Sequence, residues 1–429
     1  TSSLVGSEMC IRDRHYIWKF RLFQKGLKTT TGQPVEVIDV GLPNTNEGPD
    51  FFNAKIKIGD KIWAGNVEIH KSSDQWVKHK HDVNKNYNSV ILHIVEKANC
   101  EVYNESGQPV MQCEITYPKH ILENYDFLIH SNTDIPCCNY IGSMPSFHIN
   151  SWMNTLLIER LERKSKHIQE LLERYNNSWE DVFYVILSRN FGFGLNSDSF
   201  ERLALSLPLK YIRKQGDNLI QIEALLFGQS GMLDNLKVND DYYSLLQKEY
   251  AFLKNKYELD PLESYVFKSL RTRPTAFPQI RIAQLAALLH SSHGLFSKIT
   301  ACDDVGRIRL MFHVNASEYW QTHYAFGVSS ERKVKYLGDA SLDIILINTV
   351  APILFIYGRT IDSEIHCERA LRFLEILKPE RNSITKRFEK LKMPLNNAAD
   401  SQAMIQLKRE YCEPRKCLFC RVGHQLLTS

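Results

Sequence analysis

A chain of 429 residues has room for two or three domains at roughly 150 residues each, enough to bury a sizeable core. Hydrophobic residues at 43% and charged residues at 24% exclude wholesale disorder, collagen and coiled-coil rods. Fifty-three basic against 49 acidic residues leave a net charge of +4, a balance compatible with a nucleic-acid partner.

No apolar run reaches the roughly 18–20 residues that cross a bilayer. The longest, Leu342 to Ile356, is interrupted by Asp343, Asn348, Thr349 and Pro352, so a soluble protein with no membrane partner is expected. No basic flank followed by an apolar core and a small-residue cleavage site is present, and the expected location is cytoplasmic. Three of the ten cysteines crowd into the last 18 residues, which points to a metal site in a reducing compartment rather than a disulfide framework. No pattern sets an oligomeric state.

In chain order, Gly6 to Arg14 resembles a translated sequencing adapter, so residues 1–14 are set aside and the natural chain is expected to begin just before His15. His15 to Lys25 predicts a helix. Val35 to Val40 predicts a strand, Phe52 to Ile58 a second, Gly59-Asp60 a hairpin turn, and Trp63 to His70 the return strand with a bulge at Gly65-Asn66. A short polar helix precedes Ser89 to Val95, which is apolar on both faces as a central strand should be. Two more strands are expected at Glu101–Asn104 and Pro109–Tyr117. From His148 the periodicity turns helical and stays so.

The expected class is therefore α+β. A mixed-sheet domain spans 15–134, a linker 135–147, an all-helical domain 148–410, and a cysteine-rich tail 411–429.

The chemistry is expected where Pro49-Asp50 opens one strand and Val67-Glu68-Ile69-His70 lies on the next. Residues two apart share a face, so Glu68 and His70 project together, and pairing brings Asp50 toward Glu68. Two converging carboxylates repel unless a cation lies between them, and hard oxygen ligands suit magnesium or manganese. The following segment, Lys71 to Lys85, is basic: Lys78, His79, Lys80 and His81 are candidate phosphate contacts. His79 and His81 form a His-x-His pair, which on a strand or loop could bind zinc and in a helix diverges. His93 reads as a hydrogen-bonded core histidine. In the helical half, Arg271, Arg273 and Arg281 flank prolines and can reach phosphate as forked donors, or cap helices.

The tail holds Cys412, Cys417 and Cys420, with Cys-x-x-Cys spacing in the last two. His424 offers a fourth ligand; Cys137 or Cys138 from the linker is the alternative. Tetrahedral zinc is the simplest reading.

Pro49-Asp50, a hairpin, then Glu68-Ile69-His70 resembles the PD-(D/E)XK nuclease superfamily. The resemblance covers about the first 120 residues and departs at the lysine, where His70 stands with Lys71 next to it. It implies a restriction-endonuclease-like sheet performing metal-dependent phosphodiester hydrolysis: Asp50 and Glu68 hold the metal, and His70, with Lys71 in reserve, orients water or steadies phosphate charge. The helix acid common in such sites is missing from His15–Lys25, so that ligand is either absent or supplied by Glu36 or Glu47. Some members of that superfamily carry an iron–sulfur cluster on one distant and three C-terminal cysteines, so the tail is read as zinc or iron–sulfur. Over nearly its full length the chain also resembles an uncharacterised bacterial family, through His15–Arg21, Gly48–Phe51, Gly65–His70, Ile222–Gln229 and the cysteine tail. The alternative to a nuclease is a non-catalytic nucleic-acid-binding or metal-organised scaffold protein on the same degenerate fold.

Overall fold

The computed structural model describes residues 14–235, 238–270 and 272–428, which fall into two compact units. The first comprises residues up to 143 together with 409–429; the second is 144–408.

In the first unit, helix α1 covers residues 14–19 and stops where Arg21 turns left-handed at φ 54°, well short of Lys25. The sheet follows: β1 (Val35–Asp39), the two-residue β2 (Leu42–Pro43), β3 (Phe51–Ile58), β4 (Lys61–Ser72), β5 (Val90–Lys97) and β6 (Gln112–Glu114). Strands β1, β3 and β4 form an antiparallel meander; β5 then pairs parallel to β4, and β6 parallel to β5. The β3–β4 register slips by one between Phe51↔Val67 and Ala54↔Gly65. The extra residue thus belongs to β3, where Asn53 takes φ 55°, and not to Gly65-Asn66. Of the two strands expected at 101–104 and 109–117, only an isolated bridge (Tyr103↔Pro109) and β6 form.

Alternation along β4 decides what each face buries. Val67 and Ile69 join Ile17, Trp18, Phe51, Ile56, Leu92 and Ile94 in one core. Glu68 and His70 turn to the opposite face, beside a smaller core of Trp76, Tyr87, Val90, Val102 and Val110. That second face is covered by the β4–β5 crossover, a single helical turn α2 (Gln75–Lys78) with two 3₁₀ turns at His81–Val83 and Lys85–Tyr87. Helices α3 (Lys119–His130) and α4 (Cys138–Ile141) complete the segment up to residue 143.

The second unit is helical. The 29-residue α5 (Ser146–Arg174) starts after Pro145, whose fixed φ suits a helix entrance, several residues before Ser151. α6 (Trp179–Phe191), α7 (Ser197–Ser206), α8 (Leu209–Arg213), α9 (Leu219–Gln229), α10 (Asp241–Tyr257), α11 (Pro278–Ser291), α12 (Leu295–Ala301) and α13 (Val305–Met311) follow. A small hairpin, β7 (His323–Ala325) with β8 (Val328–Ser329), interrupts the run within a segment read as all-helical. Helix α14 (Asp339–Ile345) continues through a π-helical turn into α15 (Ala351–Thr360). This Asp339–Thr360 helix is long and apolar enough to cross a bilayer, yet 72% of its most apolar window is buried among the helices of its own unit. α16 (Glu364–Ile376), α17 (Ser383–Lys390) and α18 (Ala398–Leu407) end this unit, and α19 (Arg421–Thr428) belongs to the first.

Candidate metal centre

Glu68 lies mid-β4 with His93 directly across on β5, so the two share a face with His70. The β4–β5 crossover then lays a further pair of imidazoles over that face. Helix α2 ends at Lys78, and Lys80 adopts φ 62°, a left-handed turn between His79 and His81. The turn cancels the divergence a continuous helix would impose. Nitrogens of His70, His79 and His81 thereby come within 4.8 Å of one another.

The contacts are specific. His70 Nδ1 lies 2.9 Å from His93 Nε2, and His70 Nε2 lies 3.1 Å from His79 Nδ1 and 3.4 Å from Glu68 Oε1. His81 Nε2 is 3.2 Å from the same Glu68 oxygen, while its ring stacks on Tyr87 at 3.7 Å. Asp50 and Glu68 are locked reciprocally: the Asp50 amide donates to Glu68 Oε2 at 3.0 Å, and the Ile69 amide donates to Asp50 Oδ2 at 2.9 Å. From α1, His15 Nε2 stands 3.1 Å from Asp50 Oδ2.

Two of these approaches are unusual. His81 Nε2 and His15 Nε2 are buried, and each sits close to a carboxylate oxygen, yet neither makes a hydrogen bond. Buried polar atoms are ordinarily satisfied. With these nitrogens and carboxyl oxygens converging at 3.1–3.4 Å, the group offers donor atoms that could hold a cation.

The electrostatics of the group are those of buried titratable side chains. Burial, then the charge of Asp50, raises the Glu68 carboxyl well above the usual range. Burial holds His81 down to about 4 and His93 down to about 3, and lowers His70 and His79 as well. Burial thus favours the neutral form of all four imidazoles, and a neutral ring keeps one lone pair that could serve a metal at His70, His79 and His81. The hydrogen bond between His70 Nδ1 and His93 Nε2 leaves His70 Nε2 facing the cluster, and such an outer partner is what commonly orients a ligating ring. Solvent reaches the group through exposed His79 and through the Asp50 and His15 side chains, which are 19% and 27% exposed.

The remaining sequence-selected residues are placed as follows. β4 runs on to Ser72, so Lys71 alternates away from Glu68 and His70 and is exposed, its amide bonded to Gln75 Oε1. Lys78 and Lys80 are exposed beside the histidines, Lys78 paired with Asp74. Glu36 and Glu47 are exposed as well, and the α1 position next to Asp50 is taken by His15. Arg271 lies outside the described residues; Arg273 is exposed and Arg281 half-buried, both in the second unit.

The tail cysteines lie in the first unit, and Cys137, Cys412, Cys417 and Cys420 are all buried. Arg415 Nη2 bonds the Ser131 and Thr133 carbonyls at 2.8 and 2.9 Å, drawing the tail loop to the chain just before Cys137. The Cys137 thiol is pushed up by burial and by the adjacent Cys420, Cys412 and Cys417. His424 is engaged elsewhere, sharing a 2.5 Å hydrogen bond with the Tyr16 hydroxyl and packing on Phe20. Cys138 is half-exposed and bonded to Asn139.

Over residues 14–383 the chain matches the family described as "Protein of unknown function (DUF2851)". No curated protein and no solved structure matches it.

Proposed function

Because the chain belongs to the DUF2851 family, whose description carries no activity, we propose a function from the site itself: metal-dependent hydrolysis of phosphodiester bonds in nucleic acid. The observation that carries the reading is the pair of buried imidazole nitrogens, His15 Nε2 and His81 Nε2, set against the Asp50 and Glu68 carboxylates without hydrogen bonds. Glu68, His70, His79 and His81 would hold the ion, with Asp50 and His15 on its flank. Three imidazoles beside carboxylates favour a transition ion such as manganese, iron or zinc over magnesium. Such an ion supplies Lewis acidity toward a phosphoryl oxygen and a more acidic water.

Strand order supports the nuclease-like reading of the fold. Pro49-Asp50 immediately precedes β3, Glu68 and His70 sit on the antiparallel β4, and the parallel β5 follows the crossover. Exposed Lys78 and Lys80, on the segment that carries the histidines, give phosphate a cationic rim. Beside His15 a cleft of about 440 Å³ is lined by Lys19, Phe20, Asn44 and Phe419, and the exposed Phe20 and Phe419 rings could stack a base.

Incubating the protein with single- and double-stranded DNA and RNA plus manganese tests the proposal. Cleavage abolished by chelator and by Glu68→Gln and His81→Ala is the expected result; cleavage indifferent to both changes removes it. The second reading, binding without hydrolysis, is favoured by neutral His70 in the lysine's place and by Lys71 facing away. Salt-sensitive binding unaffected by chelator, with no cleavage, would select it.

For the tail, four buried thiols suit a soft-metal site, zinc or an iron–sulfur cluster, on Cys137, Cys412, Cys417 and Cys420. Its function would be to close the C-terminal segment onto the sheet unit. Metal content that falls with Cys137→Ser and not with Cys138→Ser supports this set, and equal loss in both, or in neither, rejects it.

A further inference from the structure

Within the second unit, Arg281 and Lys335 pose a charge problem. Lys335 is only 4% exposed, and burial depresses the basicity of both side chains. Arg281 lies in the first turn of α11, where the helix dipole adds positive potential instead of offsetting it. Among the described residues no carboxylate pairs with Arg281, Lys333 or Lys335; Asp343, two residues past Ser341, is committed to Arg309 at 2.6 Å. Buried charges are ordinarily paired.

The surroundings are built rather than incidental. Gln284, 1% exposed, accepts from Arg281 Nη1 at 2.9 Å and donates to the Lys335 and Tyr336 carbonyls at 3.3 and 3.1 Å. Arg281 Nη2 donates to Ser341 Oγ at 3.2 Å, and its guanidinium stacks 4.1 Å over Phe193. Lys335 Nζ donates to the Gln321 carbonyl at 2.7 Å and lies 4.2 Å over the Tyr324 ring. Only two of the five guanidinium N–H bonds are used, and the Nε–H is buried with no partner. Both cations line a polar cavity of about 230 Å³ whose rim carries exposed Lys333 and the Ser341 and Thr275 side chains.

We propose that this cavity is a binding site for a phosphate dianion, gripped by Arg281 and Lys335 and closed over by Lys333. Three cations without an acid call for more than one negative charge, which a phosphate supplies near neutral pH and a carboxylate does not. The Arg281 fork and the hydroxyls match tetrahedral oxygens. The volume falls below that of the usual small-molecule pocket, about 300 Å³ upward, so it admits a phosphate group and not a whole nucleotide. Free inorganic phosphate and the terminal phosphate of a strand end present the same chemistry. The site stands apart from the metal reading, for it lies in the other unit and needs no metal.

Calorimetric titration of the full chain, metal-free, with phosphate, acetate, and an oligonucleotide with or without a 5′-phosphate tests it. Saturable phosphate binding is expected, with acetate weaker by at least about tenfold. Tighter binding of the phosphorylated strand would make the strand end the ligand, and equal strand binding would make it free phosphate. Arg281→Lys and Lys335→Met should each weaken binding by about tenfold or more. Should either fail to fold, exposed Lys333→Glu puts a carboxylate at the rim and should give the same loss in a folded protein. No saturable binding of phosphate up to about 10 mM, or affinity unchanged in folded variants, overturns the proposal.

Discussion

Glu223 in α9 is fully buried, and Tyr242 Oη donates to its Oε2 at 2.6 Å. Burial raises its carboxyl from 4.5 to about 7. A carboxyl whose folded pKa is raised stabilises the fold below its unfolded pKa. That stability is lost as pH climbs through the folded value, because between the two the native state holds the proton and the unfolded chain does not. From 4.5 to about 7 the linkage amounts to about 3 kcal/mol, an upper limit since neighbours relax around the charge. Replacing Glu223 with Gln keeps an acceptor for Tyr242 and removes the titration. The two proteins should therefore differ little at pH 5, while the variant should be more stable at pH 8 by about 2–3 kcal/mol. Urea unfolding at half-unit pH intervals, followed by tryptophan fluorescence, measures the difference directly. Parallel stability curves for the two proteins from pH 5 to 8 would refute the reasoning.

Three other outcomes are expected. Saturating manganese or zinc at about 100 times its dissociation constant should stabilise the first unit by about 2.7 kcal/mol, read as a melting shift that His70→Ala abolishes. A shift surviving that substitution would place the ion elsewhere. Trp76, fully buried against His81 and His93, should cost about 3–5 kcal/mol when cut to alanine, with weaker metal binding in the same variant. An unchanged denaturation midpoint would contradict its place in that core. A Cβ at Gly228 would come 2.0 Å from the Tyr250 ring, so Gly228→Ala should lose about 1–3 kcal/mol in urea unfolding, and a stabilised variant would show that this contact has been misjudged.

Much of the sheet unit is legible from alternation and turn chemistry. The hairpin at Gly59-Asp60, the pairing of Phe51–Ile58 with its return strand, and the shared face of Glu68 and His70 follow from a period of two. The longer helices of the second unit follow from their periodicity, while the short α8, α12, α13 and α17 offer too few turns to show one. What the sequence hides is set by tertiary contact or by single dihedrals. His79 and His81 look divergent until Lys80 turns left-handed, and no residue preference at lysine announces that turn. His15 joins the cluster only because α1 packs across the sheet beside Phe51, its ring 5.7 Å from that phenyl. His93 reads as core from its strand, which is correct for its burial, but its tie to His70 depends on the parallel register of β4 and β5. Arg281 reads either as a phosphate contact or as a structural helix-capping arginine, and its half-buried place beside Gln284, which bonds the 335–336 backbone, is set by tertiary packing.

The turn at Lys80 has an energetic meaning of its own. A non-glycine residue held at φ 62° costs about 1–2 kcal/mol over its relaxed state. The backbone between His79 and His81 is therefore held away from its intrinsic preference. Its cost is carried by the packing around it, where Trp76 and His81 pack edge-to-face and the His81 ring stacks on Tyr87, so the fold itself holds the two rings on one face.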